Sequence, residues 1–484
     1  GTAQVQLKLL QPVKQFSLQL KNATAGKGMQ VTNVSGSHVQ SFEHSSDRIL
    51  IQLAATPHPD SIYTYTIQYG GVPADGLIIA KNKWGDRTFF SDNWPNRAHH
   101  WLPCNDTPAD KATVEFAVTA PVHYQVVSNG IQVEESNWEA NEKFTHWQEA
   151  IPIPTKVMVI GAARFAVKNY IDSSRLHDVS AWVYPQDSSK GFYDYALAPS
   201  ILRFFHDYVG AYPFSKLANV QSKTMFGGME NASAIFYNET SVTGTRSSEG
   251  LIAHEIAHQW FGNMATEKSF AHLWLSEGFA TYLTHMYLES QYGMDTLLKG
   301  MRQDRDQVVR FSKNWNKPVV DSTSDLMDLL NANSYQKGSW VLHMLRRQVG
   351  DEVFRNIISA YYHQYRGSNA ETSDFETVAQ KVSGKNLDAF FKQWLFTAGH
   401  PQLQVQWKQA KDGIVVTVKQ MQKNLFSFPL QIGIHTSTGA LPQEKLNITK
   451  KEETFQLKGY TQVQQIVLDP HTQLLFEGQV FKGK

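Results

Sequence analysis

The stretch His254-Glu255-Ile256-Ala257-His258, set in an apolar run at 251–260, constrains this chain more than any other feature. Residues four apart share one face of a helix, so if 251–260 is helical both imidazoles aim at one point and can ligate one metal ion. Glu255 follows the first histidine and projects beside that point, where a carboxylate can take a proton from a metal-activated water. A catalytic zinc usually keeps three protein ligands and one open position, so a third ligand should come from a second helix. Glu277 is the candidate, 277 − 258 = 19 positions on, which leaves room for one helix to end near Asn263 and another to run back. It sits among Leu273, Leu275 and Phe279, and a lone buried carboxylate is costly enough to demand a partner.

Composition limits what surrounds this site. A chain of 484 residues is too long for one ordinary core and reads as roughly three domains. Hydrophobic residues at 42% and aromatics at 12% supply large buried cores and exclude disorder. The net charge of +1, without a basic run, gives no reason to expect nucleic acid or an anionic membrane as partner. Cys104 is the sole cysteine, so an internal disulfide is excluded and any metal must be held by histidine and carboxylate. No apolar run approaches the roughly 20 residues that cross a bilayer; the longest, 157–167, is broken by Gly161 and Arg164 and reads as a strand pair. The chain starts at Gly1-Thr2 without a methionine, as removal of a signal peptide or trimming would leave it, and the compartment stays open.

Short alternating runs at 5–10, 49–53, 63–68, 113–118 and 124–128, punctuated by Gly, Asn, Asp and Pro, predict an N-terminal all-β domain over 1–170. The segment 89–110 carries three X-Pro steps and reads as a structured loop. Its His99-His100 pair would point to opposite sides of an extended backbone, which favours surface or packing roles over a metal. Helical character is expected from 172 to about 200 and on through 201–209, then strand and loop over 220–237. That last segment contains Gly227-Gly228-Met229-Glu230-Asn231, where paired glycines let another chain approach a backbone closely; a sheet-edge turn with a solvated Glu230 reads equally well from the fragment alone. From 249 to 399 the chain reads as helical, and strands at 403–407, 414–420, 430–435, 453–457 and 465–468 predict a C-terminal β-sandwich over 400–484.

Taken together, the histidine stretch, Glu277, Gly227-Gly228-Met229-Glu230-Asn231 and Tyr335-Gln336-Lys337-Gly338 resemble the zinc aminopeptidases of the aminopeptidase N type, a gluzincin family related to the leukotriene hydrolases. The likeness extends to Trp274-Leu275-Ser276-Glu277-Gly278, to Pro103-Cys104-Asn105-Asp106-Thr107-Pro108, to Phe390-Phe391-Lys392-Gln393-Trp394 and to Val467-Leu468-Asp469-Pro470, covering nearly the whole chain. It implies a multidomain α+β fold: an antiparallel β domain at 1–170, a thermolysin-like catalytic domain at 171–399, mixed α/β and then helical, and the sandwich at 400–484. One zinc per chain would be held by His254, His258 and Glu277, with Glu255 as general base and Tyr335 as hydrogen-bond donor to the developing oxyanion. Glu230 would pair with a substrate's free α-ammonium, while Gly227, Gly228 and Met229 would offer backbone groups along the peptide. The expected substrates are therefore peptides with a free N-terminus, cut one residue at a time. A thermolysin-type endopeptidase, a scaffold without catalysis and an epoxide hydrolase are the alternatives.

Three departures from the family pattern stand out. A second amine anchor is usual nine residues before the Pro-Cys pair; that position is Trp94 here, with Asp92 and Asn93 as substitutes beside it. Ser276 replaces the usual Asn before the ligand Glu277, a change that should leave ligation intact. Larger members add a big helical domain after the sandwich, so in a short form the site is expected to be more open or covered by a partner subunit.

Overall fold

A computed structural model describes residues 1–170, 178–323, 325–437, 439 and 441–483. The architecture is multidomain α+β, with β-rich N-terminal and C-terminal regions around a largely helical middle. Two compact units make it up, one of 1–203 with 212–259, the other of 204–211 with everything from 260 onward.

The first unit begins with small antiparallel sheets. Thr2–Lys8, Ile62–Val72 and Gly28–Gly36 form one, with Ile62–Val72 central; Gln15–Gln19, Arg48–Leu53 and Val39–Ser45 form a second around Arg48–Leu53. Alternation along these strands turns Ile49, Ile51, Tyr65 and Ile67 inward to complete burial, which is why the polar and apolar residues alternate in sequence. Lys111–Pro121, Glu142–Pro154 and Ile131–Glu139 make a further sheet. In place of the expected strand pair at 157–167 stand two strands, Ile160–Ala163 and Ala166–Tyr170, that join different sheets rather than each other.

The part of this unit that carries the site is a five-stranded mixed sheet in the order Ala166–Tyr170, Asp178–Val183, Lys216–Ser222, Ala234–Asn238, Gly228–Met229. The helix expected from 172 is corrected here: 178–183 is a strand, and 172–177, like the start of the expected catalytic domain at 171, lies outside the described residues. Asp178–Val183 pairs parallel to Lys216–Ser222, and its Val179, Ala181 and Val183 are wholly or almost wholly buried. These three share one face, while on the other Asp178 is exposed and Trp182 half-buried, so the alternation is present but spans only 6 residues, too few to stand out beside a helical reading. Helix begins only at α1 (Ser188–Tyr195) and α2 (Ala198–Tyr208), and returns as α3 (Glu249–Ala257).

In the second unit, α4 (Trp274–Tyr292), α5 (Met294–Ser312), α6 (Gly338–Val349), α7 (Asp351–Tyr365), α8 (Thr372–Ser383) and α9 (Asp388–Leu395) occupy the expected helical stretch. It is interrupted by the parallel strands Ala265–Glu267 and Ser368–Ala370. Beyond 400 come two sheets, one ordered Glu452–Lys458, Gly413–Gln420, Gln402–Ala410, Glu477–Lys482 and the other Gln443–Ile448, Phe428–Thr436, Val463–Leu468. All five expected strands are among them, and Gln443–Ile448 and Glu477–Lys482 join them.

Candidate active site

α3 is short and buried along one side, with Ile252, Ala253, Ile256 and Ala257 at full burial and Leu251 and His254 half-buried. It stops at Ala257, earlier than the expected end near Asn263, yet His258 keeps helical dihedrals and its N–H reaches the His254 carbonyl at 3.3 Å. That last bond places the two histidines one turn apart on one face. Their Nε2 atoms lie 3.0 Å apart. Two nitrogens held about 2.0–2.1 Å from a tetrahedral zinc would stand roughly 3.4 Å apart, so the observed convergence fits a shared ion with a small opening of the pair.

Glu255 faces away from the helix axis onto the backbone of Gly228, where a side chain at residue 228 would collide with the Glu255 carboxylate. This is the physical demand behind one of the paired glycines: the edge strand can lie against the acid only without a Cβ. The strand Gly228–Met229 pairs antiparallel with Ala234–Asn238, Gly228 opposite Tyr237 and Met229 opposite Phe236, and forms the edge of the five-stranded sheet. Its neighbour Gly227 accepts the Asn238 N–H at 3.0 Å. Burial pushes the Tyr237 phenol well above its ordinary range, with the charge of Glu255 adding to it, so this ring stays neutral and donates to Asn219 at 3.1 Å.

Glu230 completes the cluster. One ligand-type atom each from Glu230, Glu255 and His258 lies within 4.8 Å of the others, and all three side chains are buried. The solvated reading of Glu230 is thereby overturned: only 5% of it is exposed. Two carboxylates and an imidazole so close together call for positive charge at the cluster, from a cation, a proton or both.

Asp92 and Asn93, also buried in this unit, have other work. Asp92 receives Arg97 at 2.8 Å through one oxygen, and the Thr224 hydroxyl at 2.9 Å and the Met225 N–H at 3.1 Å through the other. Burial raises its carboxyl above the usual range, against the pull of Arg97 and those bonds. The Asn93 amide donates to the Thr155 and Met158 carbonyls at 3.1 and 2.6 Å and accepts Trp101 at 2.9 Å. His99 bonds Asp106 at 2.9 Å and His100 packs on its ring, the expected packing role; the extended backbone with opposed side chains is corrected, because Ala98–His100 is a 3-10 turn that brings the two rings together.

In the second unit, Glu277 lies in the first turn of α4 at 4% exposure, flanked by Trp274, Leu275, Ser276 and Phe279, all buried. Tyr335 lies in a π-helical turn, Asn333–Lys337, with the Lys337 N–H bonded to Ala332 at 2.8 Å, five residues back. Gly278 and Gly338 meet backbone to backbone, where a Cβ on Gly278 would stand 2.9 Å from Gly338 Cα. Small residues at this crossing hold the turn bearing Tyr335 against the start of α4, one residue from Glu277. Lys337, fully buried, donates to the Gly399 carbonyl at 2.7 Å, and burial pulls its ammonium down to about 7.

Two acts of assembly were invisible in sequence. The tie of Asp92 to Thr224 and Met225 and the bridging role of Gln259, described below, join residues far apart in the chain, and neither residue type has a local pattern that announces it.

Residues 1–157 match the peptidase M1 N-terminal domain, and residues 193–394 match the peptidase family M1 domain. Among curated proteins, the chain is 30% identical to the probable aminopeptidase 2 of Sulfurisphaera tokodaii, over 76% of this chain and 49% of that protein. It is 25% identical to human glutamyl aminopeptidase over 84% of this chain and 45% of the relative. The tricorn protease-interacting factor F2 of Thermoplasma acidophilum is 30% identical over 68% of this chain and 43% of its own length. The chain thus spans about half the length of the curated relatives it matches, and it belongs to peptidase family M1.

Proposed function

We propose that this chain is a zinc-dependent aminopeptidase, releasing the N-terminal residue of a peptide through a water activated beside Glu255. The observation that carries the reading is the gathering of Glu230 with Glu255 and His258 within 4.8 Å, in a buried cluster at a sheet edge. Glu255 and the histidines alone would serve any zinc peptidase. A second acid at this spot gives a free α-ammonium a counter-charge one residue from the reacting bond, which an endopeptidase has no use for.

His254, His258 and Glu277 are the residues we assign to the metal, and the donor set of two imidazoles and one carboxylate suits a catalytic zinc. When bound, zinc would polarise the scissile carbonyl and bring the pKa of a water down to roughly 7. The residues of the chain do the rest. Glu230 pairs with the substrate ammonium and sets the register so that the first peptide bond alone is presented. Gly227, Gly228 and Met229 lie on an edge strand, whose backbone groups can extend the sheet with a peptide. Glu255 takes the proton of the attacking water and passes it to the departing amine. Tyr335, whose reference pKa of about 10 leaves it protonated at neutral pH, donates a hydrogen bond to the carbonyl oxygen as it gains charge. Asp92 and Asn93, whose bonds hold loop segments of the chain, are not assigned to the amine.

The test is a panel of aminoacyl amides assayed before chelation, after chelation and after zinc is restored. Activity that vanishes with the metal and returns with it supports the reading. Turnover that survives complete removal of metal, verified by elemental analysis, contradicts it.

A further inference from the structure

We propose that Gln259 is a positioning residue that sets the reach between Glu230 and His258, and so the ability of the site to select a free amine; the proposal rests on the role assigned to Glu230 above. Gln259 follows His258 directly and is fully buried. Its carboxamide spans the turn that carries Glu230: Nε2 donates to the Glu230 carbonyl at 2.8 Å, and Oε1 accepts the Ser233 N–H at 2.9 Å. The turn itself is closed by the Ala234 N–H on the Asn231 carbonyl at 3.1 Å, with Ser233 in the left-handed region at φ 59°.

The other side of this turn is tied to the β region of the same unit. The Ala232 N–H bonds Val157 at 3.2 Å, and the Asn129 amide holds the Ala232 carbonyl at 2.6 Å. The Gly130 N–H reaches the Ser233 hydroxyl at 2.7 Å, and the buried Lys216 ammonium reaches the Ser233 carbonyl at 3.1 Å. These bonds say where the turn is, but not where α3 is relative to it. Gln259 supplies that second coordinate, because both ends of its carboxamide are used on the turn and its backbone continues from His258. The Asn231 carboxamide, wholly buried, makes no hydrogen bond among the described residues and so offers no substitute.

A glutamine is needed rather than a similar shape. Methionine keeps the length and loses both bonds; glutamate keeps an acceptor for Ser233 and sets an oxygen against the Glu230 carbonyl. Backbone groups left unanswered in a buried turn shift to find partners, and a displacement of Glu230 acts on the amine it meets rather than on the metal.

The experiment compares Gln259→Met and Gln259→Glu with the wild-type chain, each zinc-loaded, by calorimetric binding of alanine hydroxamate and of propionohydroxamate, which lacks the amine. Zinc content and melting temperature are recorded in parallel. Wild type should prefer the amine-bearing ligand; Gln259→Met should lose about tenfold of that preference with one zinc retained, and Gln259→Glu should lie between. Equal weakening of both ligands, or a lowered melting temperature with the preference intact, would overturn the inference, since a residue that only supports the fold has no reason to discriminate between them. Should Gln259→Met fail to fold, Gln259→Glu carries the same comparison. A wild-type chain that shows no preference for the amine would instead remove the role of Glu230 on which the inference stands.

Discussion

Two buried acids of the first unit, Asp92 and Glu230, flank the same segment of chain and have opposite surroundings. Asp92 is met by a guanidinium, a hydroxyl and a backbone N–H, so that both its oxygens are used in holding Thr224 and Met225. Glu230 is gathered with another carboxylate and an imidazole. Burial is costly for both, but donors face the carboxylate in one region, whereas in the other a second acid and an imidazole stand beside it, an arrangement suited to a cationic ligand. A buried carboxylate is thus assigned to structure or to function by what faces it. Residue type and depth are the same in the two cases.

The contrast can be broken most severely through Glu255. Glu255→Gln keeps the shape beside Gly228 but cannot accept a proton, and turnover should fall by about 10³-fold with zinc content unchanged; loss of metal in this variant would mean that the acid is a ligand rather than a base. In the Asp92 region the expected damage is to stability. Asp92→Ala leaves Arg97 with a buried guanidinium and Met225 with an unanswered N–H, at a cost of about 3 kcal/mol, read as a shifted denaturant midpoint. If the folded fraction of that variant also loses its preference for free amines, Asp92 belongs to the site after all. Glu230→Ala should show the converse, a kcat/KM about 10²-fold lower on aminoacyl amides with little change in midpoint, since the amine loses its counter-charge.

A pH-dependent effect lies in the second unit. His343 is fully buried, with Nε2 at 2.8 Å from the Thr472 carbonyl and Nδ1 at 3.0 Å from the Tyr282 hydroxyl. The carbonyl can only accept, so Nε2 carries the proton and Nδ1 accepts from Tyr282, and burial pulls the imidazole from 6.5 down to about 3. Above pH 6.5 neither state is charged; below it the unfolded chain binds a proton that the folded chain refuses. Stability should therefore fall as pH drops from 6.5 towards 3, by up to about 1.4 kcal/mol per unit from this group. Denaturation of His343→Gln across that range should show a shallower slope, and an unchanged slope would exclude His343 as its source.

Much of the architecture was legible because local periodicity and burial agree. The alternation that places Ile49 and Ile51 inward, and the spacing that puts His254 and His258 on one helical face, are both written in adjacent residues. Gly228 was legible for a different reason, since a glycine pair beside an acid signals a close approach even before the approaching group, Glu255, is known. What remained hidden depends on distant partners. The strand Asp178–Val183 alternates over only 6 residues, and its parallel partner Lys216–Ser222 lies far along the chain. Asp92 stood near an expected amine anchor by count along the chain, but Thr224, far away in sequence, determines its job. Gln259 takes its place only from the turn at 230–233 that lies against it, which no adjacent residue announces.

The measurement that bears most directly on the central claim is the rate on one peptide amide with a free N-terminus against the same peptide acetylated there. With Glu230 as the anchor for the ammonium, the free peptide should be cut at its first bond and the acetylated one at least about 10²-fold more slowly. Equal rates, or cleavage of the acetylated peptide at an internal bond, would contradict it and return the site to the endopeptidases.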